Sequence, residues 1–328
     1  MMSLFLFLRK YFILVYCSKT LPFLFYYFIK IFTRLALLIF CKKLVIQNKN
    51  LLQSKGPLLL IANHPNSFLD AIIIGAYCKH PAHFLARGDA FTKPWHRYLL
   101  GLLNMIPIFR LSEGKENLHL NNYAFTKSNE VIKIGGIVLI FIEGICKNTH
   151  QLQPFKKGTA RIAFAAWQQN IPLKVLPLTI QYNQLHGVGK QILIQAQDFL
   201  TINDFSITEN EAKNYTAFNE VIYQEFSTQL LQKINIVRQS NPILFLPALI
   251  GKIIHLPLYY PLKKMIATKT KGTVFFDSVL FGCLFILYPI FLLLVFFIGS
   301  FFIPTLVSVG VVFVFPILAW CTVQFKNN

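Results

Sequence analysis

Residues 57–71 read PLLLIANHPNSFLDA and join an apolar run, a polar loop and Asp70, the first acidic residue of the chain. The short continuous apolar run at 57–62 is typical of a strand that is buried on both faces of a parallel sheet. His64 follows the end of this strand, and Asp70 falls at the start of the next predicted helix, at 69–78. Because ligands of open α/β sheets bind beyond the carboxyl ends of the strands, we expect a functional site here.

The loop between the two residues is long enough to fold back and bring the Asp70 carboxylate to Nδ1 of His64. Such a contact would fix the tautomer of the imidazole and leave Nε2 free to act as a base. For this pair taken alone, a helix-capping aspartate beside an ordinary loop histidine is the better interpretation. Three further stretches of sequence change that balance.

Residues 50–240 alternate strand-like and helix-like patterns. Helices are predicted at 69–78, 93–102, 114–134 and 155–168, and a polar segment at 208–239 predicts one amphipathic helix that closes the domain. This order predicts an α/β domain with a mostly parallel sheet flanked by helices. The short apolar runs predict strands at 57–62, 82–86, 105–109, 137–141, 174–181 and 190–195.

The further stretches each follow a predicted strand. Arg110 comes after the strand at 105–109 and would emerge near His64, where its guanidinium fork suits a phosphate. Glu143 and Gly144 follow the strand at 137–141 in the sequence FIEG. Downstream, PFKKGTAR at 154–161 combines two lysines with small residues that permit close approach of a ligand. The plain alternatives are a solvated arginine, a turn and the start of a basic helix.

In this order, with the strand VLPLT at 175–179, these stretches resemble the glycerolipid acyltransferase superfamily, of the lysophosphatidic acid acyltransferase type. The resemblance covers roughly residues 50–200. It implies that His64 and Asp70 are the catalytic pair. Glu143 would bind hydroxyls of the acceptor or brace the loop. The substrate-binding residues that it implies are Asn63, Arg110, Glu143, Gly144, Lys156 and Lys157.

The sequence departs from the family pattern at two places. Five residues separate His64 from Asp70, where four are usual, and Ile142 and Ile145 stand where proline and threonine are common around the Glu-Gly pair. The longer loop resembles the branch that includes yeast-type glycerol-3-phosphate acyltransferases. These departures leave the base and its carboxylate in place and bear on the identity of the acceptor.

The resemblance implies a membrane-bound O-acyltransferase of phospholipid biosynthesis. It would move a fatty acyl group from acyl-CoA or acyl carrier protein to 1-acylglycerol-3-phosphate, with no metal and no bound cofactor. Glycerol-3-phosphate or another lyso-lipid, such as an aminolipid, is the alternative acceptor. A non-catalytic membrane protein that binds lipid or acts as a scaffold is the alternative class. A serine hydrolase would need a G-x-S-x-G turn, which this sequence lacks.

Composition indicates contact with a membrane. The chain has a formal net charge of +19 and is 55% apolar, which favours an anionic lipid surface. Nucleic-acid binding is disfavoured because we see no Lys/Arg-dense patch on a polar domain. Residues 278–324 contain no Asp, Glu, Lys or Arg, enough for two crossings of a bilayer. We predict transmembrane helices at 275–298 and 302–325. A buried hairpin of a soluble core would have shorter helices with some polar residues.

The sequence therefore predicts four regions. Residues 1–49, with their scattered basic side chains, read as basic, amphipathic interfacial helices, and 50–240 as the catalytic domain. Four prolines in 241–274 predict two short interfacial pieces, and 275–328 would hold the two transmembrane helices. The lysines that precede the first crossing and Lys326 would share one side, which the positive-inside rule makes cytoplasmic. We expect an integral membrane protein with its catalytic domain on the cytoplasmic face.

Overall fold

The computed structural model describes residues 23–109, 121–231 and 241–325. These residues form a seven-stranded sheet in the order β1-β7-β6-β2-β5-β3-β4. The five strands from β6 to β4 run parallel, whereas β7 is antiparallel to β6 and pairs in parallel with β1. The mostly parallel sheet predicted from the sequence is confirmed. The strands are β1 Cys41–Gln47, β2 Leu58–Ala62, β3 Ala82–Arg87, β4 Met105–Ile108, β5 Ile137–Phe141, β6 Lys174–Tyr182 and β7 Lys190–Ala196.

The helices agree with the predicted pattern to within a few residues at most ends. The predicted helix start at 114, the end at 239 and Arg110 lie outside the described residues. The helices are α1 Phe23–Phe40, α2 Phe68–Tyr77, α3 Pro94–Leu102, α4 Asn121–Lys133, α5 Gly158–Gln168, α6 Glu211–Leu230, α7 Phe245–Lys269, α8 Phe276–Phe302 and α9 Thr305–Phe325.

The centre of the sheet is buried on both faces. In β2 every residue is buried, and alternate side chains point to opposite sides. Leu58 and Leu60 pack in a core with α1, α2 and parts of α7 and α8, whereas Leu59 and Ile61 pack against α4, α5 and α6. Each of these leucines stabilises the fold by about 1.5–3 kcal/mol through burial. This packing fixes where β2 ends and therefore where His64 begins the loop.

The first correction concerns residues 41–47. We predicted interfacial helices throughout 1–49, but this segment is strand β1 and pairs with β7. The chain passes directly from α1 into β1. The partner strand lies almost 150 residues further along the chain, so no local pattern reveals the pairing. Residues 1–22 of the predicted region lie outside the described residues.

The basic side chains of α1 contact the end of α2. Lys30 donates through Nζ to the carbonyl oxygens of Cys78 and Lys79, and Arg34 donates through Nε to that of Ala76 at 2.6 Å. Carbonyl groups at the end of a helix lack intrahelical partners and carry partial negative charge, so cations are favourable there. The same two residues that interrupt the apolar pattern of α1 therefore attach this helix to the α/β domain.

The second correction concerns 241–266. The prolines predicted two short pieces, but α7 is one continuous helix with Pro257 and Pro261 in its interior. Each proline removes one helical hydrogen bond. The helix persists because α7 packs against both α8 and α9, and helices in apolar surroundings tolerate proline when neighbouring helices support them.

Four of the described helices are long and apolar enough to cross a bilayer: α1, α8, α9, and α7 with the short turn before it. They indicate a membrane protein. Helices α8 and α9 correspond to the predicted crossings, and the chain turns between them at Ile303 and Pro304. Helix α7 begins against the end of α9, where Phe245 packs on Phe325. Farther along, His255 binds Tyr288 of α8.

Gly251 of α7 provides a test of this packing. A Cβ atom there would collide with the carbonyl oxygen of Leu318 and the hydroxyl of Thr322 on α9. We expect Gly251→Ala to lower the stability by about 1–3 kcal/mol, because two helix backbones must separate. Thermal unfolding in detergent measures the change. Gly282→Ala on α8 is the matched control, since no atom lies within 4 Å of its added Cβ. Equal melting temperatures for the two variants would contradict the packing.

Candidate active site

The loop after β2 folds back as predicted. Nδ1 of His64 lies 2.9 Å from Oδ2 of Asp70. The imidazole ring lies flat on the ring of Phe141 at the end of β5, with 3.8 Å between the ring centroids. The His64 side chain is 12% exposed, and that of Asp70 is fully buried. The imidazole therefore has one edge fixed inside the protein and a small part open to solvent.

Asp70 is held by two further donors. The backbone N–H of Asn66 donates to Oδ2 at 2.8 Å, and the hydroxyl of Tyr182 donates to Oδ1 at 2.6 Å. Asp70 also lies in the first turn of α2, where the helix dipole favours a negative charge. Both carboxylate oxygens are thus fixed. In neutral His64 the proton sits on Nδ1, facing Asp70, and Nε2 keeps its lone pair.

Glu143 braces the same loop from the other side. Its Oε2 accepts the backbone N–H of His64 at 3.1 Å, and its Oε1 accepts the backbone N–H of Gln153 at 3.1 Å. Burial raises the pKa of Glu143, although the two backbone donors oppose the shift. Of the two roles considered from the sequence, acceptor contact or loop brace, the geometry supports the brace.

Asn63 requires a correction. The sequence comparison implied contact with a substrate, but both polar atoms of its side chain bind the backbone of Ile180. Oδ1 accepts the N–H at 2.7 Å, and Nδ2 donates to the carbonyl oxygen at 3.0 Å. The residue is buried. Asn63 therefore ties the end of β2 to β6, and the observed bonds of its side chain give it a structural role.

Gly144 and Lys156 lie together beside Glu143. Gly144 adopts a φ of +63°, a left-handed conformation that disfavours other residues. A Cβ atom there would press on the Lys156 side chain. The backbone N–H of Lys156 donates to the carbonyl oxygen of Ile142 at 2.8 Å. Lys156 and Lys157 are both exposed, just before α5. The structure thus brings Lys156 to the Glu-Gly turn.

Tyr182 is a site residue that the sequence did not reveal. It is the last residue of β6 and fully inside the protein, 112 positions from the aspartate that it contacts. Burial, with the nearby Asp70 carboxylate, holds the pKa of Tyr182 well above its usual range. The hydroxyl therefore remains a donor at physiological pH. The one signal in the sequence is a tyrosine at the carboxyl end of a buried strand.

Part of the chain is similar to known proteins. Residues 43–181 match the family model described as Acyltransferase. The chain is 26% identical over 176 residues to the probable 1-acyl-sn-glycerol-3-phosphate acyltransferase of Mycoplasma pneumoniae, a match of 52% of this chain and 62% of that protein. The chain thus spans less than two thirds of this relative's length.

A solved structure is also similar. The crystal structure of the 1-acyl-sn-glycerophosphate (LPA) acyltransferase PlsC from Thermotoga maritima superimposes with a TM-score of 0.47 and 16% identity. The superposition covers 71% of this chain and 97% of that one.

The buried Glu143 predicts a pH dependence of stability. Its pKa is raised in the folded protein, so the folded state binds more protons than the unfolded state above the ordinary glutamate range near pH 4.5. Its contribution to stability is therefore present below that range and is lost as the pH rises through the folded pKa. We expect the stability of the natural protein relative to Glu143→Gln to decrease as the pH rises from about 4.5.

Denaturant unfolding in detergent at several pH values measures this difference. Glu209→Gln, at an exposed position before α6, is the control for the loss of one carboxyl group. If the stability of the natural protein relative to Glu143→Gln stays constant or increases as the pH rises, burial does not dominate at this carboxyl group.

Proposed function

We propose that the chain is an acyltransferase of the glycerolipid acyltransferase superfamily and that it transfers a fatty acyl group to 1-acylglycerol-3-phosphate. The observation that carries the proposal is the contact of His64 with Asp70 at the carboxyl end of β2, inside the matched residues 43–181. The relative from Mycoplasma pneumoniae has the corresponding name, which favours this acceptor over the alternatives.

His64 acts as the general base in the proposed mechanism. The acceptor hydroxyl attacks the carbonyl carbon of the thioester donor, and Nε2 takes the hydroxyl proton. The Asp70 carboxylate holds the ring and stabilises the imidazolium that forms. When the tetrahedral intermediate collapses, the carbon–sulfur bond breaks, and the imidazolium returns its proton to the leaving thiolate. The products are the new ester and a free thiol, so the enzyme needs no nucleophile of its own.

The acceptor phosphate requires cationic groups beside the base. Lys156 is the first candidate, since its stem lies over Gly144, next to the glutamate that binds the His64 backbone. Lys157 is the next residue and is equally exposed. Arg110, which follows β4 in the sequence, is the third candidate, and its guanidinium would bind phosphate through two donors. The donor is acyl-CoA or acyl carrier protein, as the family resemblance implies.

The membrane helices suit such a reaction, because both the lyso-lipid and its product stay in the bilayer. We propose that the domain faces the cytoplasm. The support is the cluster of Lys263, Lys264, Lys269 and Lys271 around the end of α7, immediately before the apolar helix α8. Positive residues next to a transmembrane segment favour the cytoplasmic side. Acyl-CoA and acyl carrier protein are both soluble, so the active site would meet lipid and donor at one surface.

Glycerol-3-phosphate is the second acceptor to test. The specific observation that favours it is the longer spacing between His64 and Asp70, which resembles the glycerol-3-phosphate branch. A panel of glycerol-3-phosphate, 1-acylglycerol-3-phosphate and lyso-aminolipids, given one labelled acyl donor, separates these cases by product mass. If no acceptor leads to consumption of the thioester, the lipid-binding scaffold is the better interpretation.

Replacement of His64 tests the mechanism. We expect His64→Ala in purified protein to lower kcat by about 10²–10⁴-fold, the usual contribution of a general base. The fold should persist, because the side chain lies at the edge of the core. His150→Ala is the control, since His150 is an exposed loop residue. Acyl transfer by His64→Ala at the rate of the control would end the proposed mechanism.

Replacement of the cations tests the phosphate site. We expect Lys156→Ala and Arg110→Ala to raise the acceptor KM about 10-fold or more while kcat changes little, as for the loss of a hydrogen bond between charged groups. An acyl-pantetheine donor, which has no phosphate, keeps donor binding out of the measurement. Lys213→Ala on α6 is the control for general loss of positive charge. An unchanged acceptor KM removes the tested residue from the phosphate site.

A further inference from the structure

The first turn of α8 carries a buried aspartate that reaches the catalytic loop. Asp277 is 1% exposed. Its Oδ2 accepts Nδ2 of Asn66 at 3.0 Å, and its Oδ1 accepts the backbone N–H of Gly187 at 2.7 Å. Oδ2 also forms an ion pair with Lys190 at 2.5 Å, in which both side chains are fully buried. A carboxylate inside the protein is retained only when it is paired and hydrogen-bonded in this way.

The next residue, Ser278, binds the same loop. Its hydroxyl accepts the backbone N–H of Leu69 at 3.1 Å and donates to the carbonyl oxygen of Asn66 at 3.3 Å. Leu69 is in the first turn of α2, and its N–H also donates to the carbonyl oxygen of Asn66 at 3.2 Å. Ser67, the residue before α2, makes no side-chain capping bond. Helix α8 therefore supplies a side-chain acceptor at the start of α2, where Ser67 supplies none.

The loop needs such support, because Ser67 has a φ of +50°, an unfavourable conformation for a residue with a side chain. Residues in unfavourable conformations persist where surrounding contacts determine them. The segment between His64 and Asp70 is only five residues long. A shift of Asn66 would move the backbone N–H that donates to Asp70, and with it the carboxylate that orients His64.

A second contact joins the same cluster to the catalytic pair. The ammonium of Lys190 lies 5.8 Å from the centre of the Tyr182 ring, and the Tyr182 hydroxyl donates to Asp70. A cation over an aromatic face is attracted to it. Both oxygens of Asp70 are therefore linked to the Asp277–Lys190 pair. Oδ2 binds Asn66, which binds Asp277, and Oδ1 binds Tyr182, whose ring lies beside Lys190.

We propose that Asp277 and Ser278 are positioning residues of the acyl transfer reaction. This proposal rests on the proposed function. They hold the loop from His64 to Asp70, so the start of an apolar, membrane-length helix is part of the active-site structure. Neither residue touches a reacting atom. The competing interpretation is that Asp277 serves only to neutralise the buried charge of Lys190. The two can be separated because charge balance and the bond to Asn66 can be removed independently.

Two double variants in lipid nanodiscs make this separation. Lys190→Met/Asp277→Ala removes both charges and the acceptor for Asn66. Lys190→Met/Asp277→Asn removes both charges and retains a side-chain oxygen that can accept from Asn66. Loss of a buried ion pair as a whole is tolerated better than loss of one partner. We expect kcat to fall about 10–100-fold in the alanine variant and to recover to within about threefold of the natural protein in the asparagine variant, with both KM values little changed.

A pair of serine variants provides the matched control. Ser278→Ala removes the hydroxyl that binds the loop, whereas Ser308→Ala removes a buried serine of α9 that packs near Gly299 at the far end of the hairpin. We expect a lower kcat only for Ser278→Ala. This comparison also decides the proposal if the alanine double variant does not fold. Equal kcat values for the two serine variants would overturn it.

Hydrogen exchange of the loop gives a readout that does not depend on the substrate. Mass spectrometry of peptides covering 64–70 should show faster exchange in Lys190→Met/Asp277→Ala than in Lys190→Met/Asp277→Asn. It should likewise show faster exchange in Ser278→Ala than in Ser308→Ala. If the natural protein transfers no acyl group to any acceptor, the proposed function fails, while this exchange difference still supports the positioning role. Equal exchange in the paired variants, or equal kcat in the two double variants, would contradict the role of Asp277.

Discussion

The carboxylate of Asp70 is the group on which the site depends. It is fully buried and accepts from the His64 ring, the Asn66 backbone and the Tyr182 hydroxyl. These donors come from the loop after β2 and from the end of β6, while the carboxylate itself stands on α2. The Asp70 carboxylate thus keeps these contacts only when the sheet, the loop and α2 hold their relative positions. An imidazole held in this way has one defined tautomer, which is the property that a general base needs.

The apolar helices and the α/β domain share one core. Leu280 and Phe281 of α8 belong to the same cluster as Leu58 and Leu60 of β2, and α1 binds the end of α2 through Lys30 and Arg34. These apolar helices are therefore packed into the domain. In the proposed reaction, whose acceptor and product would stay in the bilayer, this arrangement would keep His64 at a fixed distance from the lipid.

The sequence was most informative where structure is local. Continuous apolar runs located six strands, and the ordered set of four stretches, rather than the spacing alone, favoured the contact of His64 with Asp70. Contacts between distant parts of the chain left no local pattern. Tyr182, the pairing of β1 with β7, and the bonds of Asp277 all join residues far apart in sequence. The continuity of α7 was missed because proline propensity was weighed without the packing of α8 and α9.

Acyl transfer by the purified natural protein in lipid nanodiscs tests the central claim most directly. The assay supplies a labelled acyl thioester with or without 1-acylglycerol-3-phosphate, and it measures free thiol and lipid product together. Our account predicts thiol release that requires the acceptor and equals the diacyl product formed. Thiol release with free fatty acid and no acylated acceptor, or an intact thioester in the presence of every glycerol-phosphate acceptor, would contradict it.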